Sequence, residues 1–150
     1  MYEEIVKRYR PRGWRVRYSK RKDKIAADCL AYWQNPVHGS GVGSLQTVAI
    51  ADPIKRVIYA PHVVDPFTLH TLLHEFGHVH LKHWGNGESV QHREEYEAER
   101  WAAEIVRMEG IKVPRASLRA MRHYIRACIA ADEARGIEIQ PHVRRFDGQA

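Results

Sequence analysis

The sequence predicts an α+β fold in which a small, mostly antiparallel sheet packs on two amphipathic helices and is followed by C-terminal helices. Two observations predict it: stretches of alternating polarity lie before residue 61, and apolar residues recur at helical spacing over three stretches after it. The 150 residues are enough for one ordinary domain and too few for two. We therefore expect a single domain with an N-terminal part (1–44), a central core (45–108) and a C-terminal helical segment with a tail (109–150).

The elements before residue 61 are predicted to be short. A helix is expected at 2–9, and strands are expected at 14–18, 29–33, 46–51 and 55–60. The last two strands join through Asp52-Pro53, a pair typical of a tight turn. Residues 35–43 are rich in glycine but lack the Gly-Lys-Ser/Thr ending of a phosphate-binding loop, so we interpret them as a connection.

A longer helix is predicted from about Pro66 to Trp84. Asp65 suits the N-cap, and Pro66 suits the first helical position, where its missing N–H costs nothing. The glycines and asparagine at 85–87 are typical of a helix end. At about 100° per residue, the apolar residues gather on one arc: Leu69, Leu72, Leu73, Phe76, Val79 and Trp84.

The residues His74-Glu75-Phe76-Gly77-His78 form an H-E-x-x-H box on the opposite side of this helix. Two histidines four residues apart project from one helix face, so both imidazoles can reach a single Zn²⁺. Glu75 is then placed to take a proton from a water on the metal. His70 shares this face and is interpreted as lining the site. His80 and His83 project onto the buried arc and are interpreted as packing residues or as residues behind the site.

A catalytic zinc site usually takes a third protein ligand and keeps one position for water. One class of zinc peptidase places that ligand, a histidine, six residues after the box and a glycine three residues after it. Leu81 and Trp84 occupy those positions, which excludes that class.

The helix predicted at about 90–108 offers a better third ligand. Glu95 lies on its apolar arc beside Ala98 and Ala102, where a carboxylate is costly to bury unless it has a partner. Glu95 is therefore the predicted ligand, with Glu94 as the alternative. The small alanines are expected to let the two helices approach closely.

Two more glutamates on this helix have different expected roles. Glu99, one turn after Glu95, is placed to accept a hydrogen bond from His74 and fix its tautomer. Glu97 projects toward solvent.

The two motifs together resemble a known group of enzymes. The box followed by Glu95-Tyr96-Glu97-Ala98-Glu99-Arg100-Trp101-Ala102-Ala103 resembles the glutamate-zincin (gluzincin) pattern, in particular the ImmA/IrrE family of metallopeptidases. That family combines an H-E-x-G-H helix with a later E-x-x-A-N-x-F-A helix and a strand before the first. The resemblance covers roughly 45–108; Glu99 stands in place of the usual asparagine and Trp101 in place of phenylalanine.

This resemblance implies a zinc endopeptidase with His74, His78 and Glu95 as metal ligands and Glu75 as the general base. Relatives often cleave transcriptional repressors and travel with phages or mobile elements. A repressor or another DNA-associated regulator is therefore the implied protein substrate.

Substrate contacts are expected from two further places. In zincins a strand before the metal helix forms the lip of the cleft and pairs with an extended peptide. Val57, Ile58, Tyr59 and Ala60 are predicted to do so, unless that strand is paired on both sides within the sheet. A donor for the oxyanion is expected from Tyr124 or His123, with Tyr59, Tyr96 and His142 also open.

The charge balance suggests a second function. Lys and Arg number 24 against 18 Asp and Glu, a net charge of +6. Ten basic residues lie between Lys7 and Lys24, and four arginines share one sector of a later helix: Arg115, Arg119, Arg122 and Arg126. Such faces bind phosphates or are simply solvated. The alternatives are thus a basic nucleic-acid-binding module with a structural or vestigial zinc site, and a SprT-like protease with His92 as third ligand.

The expected location is the cytoplasm. The start of the chain is charged, and no apolar run approaches the roughly 18 residues of a membrane span. Cys29 and Cys128 match no C-x-x-C spacing and are predicted to be buried thiols in a reducing compartment.

Overall fold

The computed structural model describes residues 1–18, 49–84 and 90–147. In chain order, the elements within these ranges are α1 (Tyr2–Tyr9), β1 (Arg15–Tyr18), β2 (Ile50–Asp52), β3 (Val57–Ala60), α2 (Pro66–His80), α3 (Gln91–Met108), α4 (Arg115–Ala134) and α5 (Pro141–Asp147). The predicted α+β class is confirmed. The strand predicted at 29–33 and the connection at 35–43 lie outside the described residues.

The described strands form one three-stranded sheet in the order β1-β3-β2. β1 runs parallel to β3, with Arg15 opposite Val57, and β2 runs antiparallel to β3, with Ile50 opposite Tyr59. The sheet is therefore mixed, and the expectation of a mostly antiparallel sheet was wrong for these strands. The reason is topological: a tight turn makes consecutive strands antiparallel, whereas the long connection after β1 allows a parallel pair.

The tight turn predicted at Asp52-Pro53 is confirmed. The Asp52 carboxylate accepts hydrogen bonds from the backbone N–H groups of Ile54 and Lys55, both at 3.0 Å. Arg56 closes the turn in the left-handed region, with φ of 53°. This local bonding fixes β2 beside β3.

Helix α2 begins where the sequence predicts and ends earlier. The Asp65 side chain accepts from the Thr68 backbone N–H at 2.8 Å, and the Thr68 hydroxyl accepts from the Asp65 N–H at 3.2 Å, which forms a capping box. The helix stops at His80, and Lys82 adopts a φ of 55°. The chain therefore leaves the helix before Trp84. The helix face that the sequence predicts for the residues after His80 does not apply.

Helices α2 and α3 pack very closely at one point. A Cβ atom built on Gly77 would lie 3.0 Å from the carbonyl oxygen of Ala98 and 3.1 Å from its Cα. Only a glycine on one helix and a small residue on the other allow this approach. The predicted close packing through Ala98 is thus confirmed, and it brings the two halves of the site together.

The core is built around the apolar arc of α2. Its side chains are completely buried between the sheet, α1 and α3: Leu69, Leu72, Leu73 and Phe76. A second apolar cluster joins α4 to the segment that ends in α5: Ile125, Ile129, Ile139 and Val143. Across the described ranges, every helix is too short or too polar to cross a membrane.

Candidate metal centre

Three potential ligand atoms from α2 and α3 converge at one place. His74 Nε2 lies 2.8 Å from Glu95 Oε2, His78 Nε2 lies 3.3 Å from the same oxygen, and the two nitrogens are 3.2 Å apart. Both histidines are buried and Glu95 is partly buried. Two imidazole nitrogens and a carboxylate oxygen arranged in this way could hold a metal ion.

Local and tertiary structure contribute separately to this arrangement. The spacing of four residues places His74 and His78 on one face of α2. Glu95 reaches them from α3 because Ala98, one turn later, packs on Gly77, the residue before His78. The Glu94 alternative is not a member of the converging group.

The three groups are strongly coupled electrostatically. Burial acts to lower the pKa of His74, but the Glu95 and Glu99 carboxylates outweigh it and raise that pKa to about 10. Burial acts to raise the pKa of Glu95, but the charge of His78 and the hydrogen bond from His74 hold it well below its usual range. His74 and Glu95 therefore stabilise each other's charged forms.

Glu75 lies beside the three ligand atoms without joining them. Burial raises the pKa of the Glu75 carboxyl, while the charges of His78 and His74 and a hydrogen bond from the Ala51 backbone lower it in part. Because Ala51 belongs to β2, this strand borders the site. A carboxylate with a raised pKa is a better proton acceptor than an ordinary surface glutamate.

The predicted partner of His74 is present, but without the predicted hydrogen bond. Glu99 is 1% exposed, and its Oε2 lies 3.7 Å from His74 Nδ1, which is an ion-pair distance and too long for a hydrogen bond. Its other oxygen lies 3.2 Å from Nε2 of the buried His70. Glu99 thus stands between two histidines of α2, and His70 faces this carboxylate instead of the three ligand atoms.

The partner of His78 on its other nitrogen is His83, which the sequence analysis interpreted as a packing residue or a residue behind the site. His78 Nδ1 lies 2.8 Å from His83 Nδ1, and His83 Nε2 lies 3.0 Å from Glu97 Oε2. Glu97 was predicted to project toward solvent, but it contacts His83. His83 lies behind the site and not on the apolar arc. The helical projection was wrong here because α2 ends at His80. His80 itself is exposed, and its Nε2 lies 2.8 Å from the Tyr9 carbonyl oxygen.

The strand predicted to bind substrate cannot do so in this fold. β3, which contains Val57, Ile58, Tyr59 and Ala60, is the central strand and is paired with β1 on one edge and β2 on the other. Its backbone groups are therefore engaged in the sheet. Within the described residues β2 is the edge strand on the side of Glu75.

His92 is not available as a third ligand. It is 0% exposed, its Nδ1 lies 2.6 Å from Asp132 Oδ2, and its Nε2 accepts from the Gln140 backbone N–H at 3.2 Å. Its own backbone N–H also donates to Asp132 at 2.9 Å. Both ring nitrogens are occupied, so His92 ties the start of α3 to the end of α4 and the residues before α5.

The two main candidates for the oxyanion donor lie in different environments. Burial raises the pKa of the Tyr124 hydroxyl well above its usual value, and the charge of nearby Glu95 adds to the effect. The same tyrosine contacts the buried thiol of Cys128. His123, the next residue on α4, is exposed. Of these two residues, only Tyr124 faces the carboxylates of the site.

The remaining candidates do not converge on the site as a group. Tyr96 packs edge to face on His142, with ring centroids 5.0 Å apart, and contacts the second apolar cluster. The predicted arginine row of α4 is exposed throughout: Arg115, Arg119, Arg122 and Arg126.

Comparison of the chain with protein-family models, curated proteins and solved structures found no match.

Proposed function

We propose that this protein is a zinc-dependent endopeptidase in which Glu75 activates a water for attack on a peptide bond of a protein substrate. The observation that carries the proposal is the convergence of His74, His78 and Glu95 beside a partly buried Glu75. A purely structural metal site does not require an additional acidic group that lies near the ligands without being one of them. A hydrolase does require such a group, as its proton acceptor.

The donor set suits zinc. Two histidines and one carboxylate are the protein ligands of several catalytic zinc sites, which leave a position open for water. Donors bound tetrahedrally at about 2.0–2.1 Å from zinc lie about 3.3 Å from one another. The separations of 2.8, 3.2 and 3.3 Å are close to this value, so His74, His78 and Glu95 would hold the ion with small adjustments.

The residues around the ion would divide the reaction between them. Zinc, when bound, supplies a Lewis acid for the scissile carbonyl and lowers the pKa of a water. Glu75 takes the proton of the attacking water and returns it to the leaving nitrogen, for which its raised pKa is suited. We assign the support of the oxyanion to Tyr124 over His123, because Tyr124 is partly buried and lies near Glu95 and Glu75, whereas His123 is exposed.

The substrate backbone is proposed to lie along β2 instead of β3. An extended peptide can add to the edge of a sheet through main-chain hydrogen bonds with little demand on sequence. β2 is at the edge of the described sheet, and its Ala51 donates to Glu75. The substrate class, a transcriptional repressor or other DNA-associated regulator, follows from the family resemblance of the two motifs.

One observation favours a second candidate, a basic nucleic-acid-binding module with a structural or vestigial zinc site. Arg115, Arg119, Arg122 and Arg126 are exposed along α4, as a phosphate-binding face requires. A SprT-like arrangement is not favoured, because Asp132 and Gln140 occupy the ring of His92.

Metal analysis and the variant Glu75→Gln test the proposal. The purified full chain is expected to contain one zinc ion and to cleave members of a proteome-derived peptide library, with products read by mass spectrometry. Glu75→Gln should retain zinc but cleave at least about 100-fold more slowly, the usual size of a general-base contribution. An unchanged rate in Glu75→Gln, or a wild-type chain that binds no zinc, would contradict the proposal. Binding of a duplex DNA probe that Glu75→Gln leaves unchanged, with no cleavage by the wild type, would favour the second candidate.

A further inference from the structure

His74 and His78 differ in the contacts of their Nδ1 atoms, the ring nitrogens that face away from Glu95. His74 Nδ1 is 3.7 Å from the nearest oxygen of Glu99, beyond hydrogen-bond distance. His78 Nδ1 is 2.8 Å from His83 Nδ1, a hydrogen bond between two imidazoles. Only His78 of this pair therefore has a direct hydrogen-bonded support on the nitrogen that faces away from Glu95.

The direction of the hydrogens follows from the groups involved. A carboxylate can only accept, so Glu97 Oε2 accepts from His83 Nε2–H over 3.0 Å. A neutral His83 that carries its proton on Nε2 can only accept at Nδ1. His78 must then donate from Nδ1, so the neutral form of its imidazole that binds a metal has its Nε2 lone pair on the side of His74 and Glu95.

The chain is bent to make this contact. α2 ends at His80, Lys82 adopts the left-handed φ of 55°, and the His83 backbone N–H donates to the His78 carbonyl at 3.1 Å. The bend returns His83 to a position over His78, where its side chain is 6% exposed. A continuous helix would have carried His83 to another face.

The contact also spans both helices of the site. His83 follows α2, and Glu97 lies on α3 two residues after Glu95. α3 is thus linked to α2 through the ligand atoms and also to the residues after α2 through the bonds behind His78. The other oxygen of Glu97, Oε1, lies 3.9 Å from Arg93 Nε in an exposed ion pair.

We infer that His83, held by Glu97, is a positioning residue that fixes the tautomer and orientation of His78 for metal binding. The inference rests on the proposed function, because it assigns His83 to the same metal site. Partners behind metal-binding histidines typically contribute a factor of about 10–100 in metal affinity. Neither residue touches the substrate or the reacting atoms in this assignment.

Zinc affinity of the full chain tests the inference without an activity assay. Competition with a chromophoric chelator should give about 10–100-fold weaker binding for His83→Leu than for the wild type. His83→Gln should recover part of the loss, because one amide can accept from His78 and donate to Glu97. Glu97→Ala should weaken binding, and the matched control Glu104→Ala, at an exposed position of the same helix, should not.

A spectroscopic measurement separates positioning from general support of the fold. Nitrogen-15 NMR of the metal-free wild type should find His78 protonated at Nδ1, and His83→Leu should shift His78 toward a mixture of tautomers. Equal zinc affinity for the wild type and His83→Leu overturns the inference alone, whereas a wild type without zinc affinity overturns the proposed function. Should His83→Leu not fold, the comparison of Glu97→Ala with Glu104→Ala decides: a weaker affinity only in Glu97→Ala supports the inference, and equal affinities overturn it.

Discussion

Gly77 and Ala98 are in such close contact that a methyl group on Gly77 would come within 3.0 Å of the Ala98 carbonyl oxygen. Gly77 precedes the second histidine of the site, and Ala98 lies one turn after the glutamate. The separation of the two helices at this point therefore sets the distance between Glu95 and the two imidazoles. A change here is expected to affect the metal site without removing any ligand.

Gly77→Ala is the direct test of this relationship. Overpacking costs about 1–3 kcal/mol, more than the roughly 1 kcal/mol that alanine gains over glycine within a helix. We expect a lower free energy of unfolding by denaturant and a weaker zinc affinity. Adding Ala98→Gly should restore little, because the two nearest atoms belong to the Ala98 backbone. A variant that is more stable than the wild type and binds zinc equally well would show that the helices can separate at no cost.

The identity of the third ligand can be tested with neighbouring glutamates. Glu95→Ala removes the only oxygen of the converging group and should weaken zinc binding by more than the roughly 100-fold that partners outside the ligand set contribute. Glu94→Ala is the matched control and should bind zinc like the wild type. Calorimetric titration with zinc measures both. Full retention of affinity in Glu95→Ala would exclude the proposed ligand set.

Zinc binding should release protons. The nearby carboxylates raise the pKa of His74 to about 10, so His74 carries a proton at pH 7 that a metal ion must displace. The zinc affinity should therefore rise with pH from neutrality to about pH 10, because above that pH His74 is already neutral without zinc. Calorimetry at pH 7.5 in two buffers with different ionisation enthalpies should detect about one proton released per zinc from this group. The same heat in both buffers would contradict the prediction.

The buried pair behind α3 should matter for stability and not for metal binding. His92→Ala removes one partner of Asp132, which is 0% exposed, and should lower the free energy of unfolding by about 3 kcal/mol, the low end for a broken buried pair. The low end is expected because Arg135 still contacts Asp132 at 3.2 Å. Denaturant unfolding gives the change, and the zinc content of the folded variant should equal that of the wild type. Loss of zinc from a folded His92→Ala would revive the alternative ligand.

The features that were predictable from sequence are local ones. The spacing of His74 and His78 determines that both face one way on any helix, and Asp65-Pro66 determines where that helix starts. Asp52 bonds to the backbone two and three residues later, so its turn was also predictable. Glu95 could be singled out because a carboxylate on an apolar arc needs a partner wherever that arc packs.

The remaining features depend on contacts between residues far apart in the chain. β3 is the central strand because β1, more than forty residues earlier, pairs with the edge of β3 that β2 does not occupy. No periodicity within 57–60 contains that information. His92 is held by Asp132, forty positions away. His83 reached the back of His78 because α2 ends at His80 and the chain turns at Lys82. A repeating pattern specifies which face a side chain takes on a regular element, whereas strand order and the path after a helix end are decided by long-range packing.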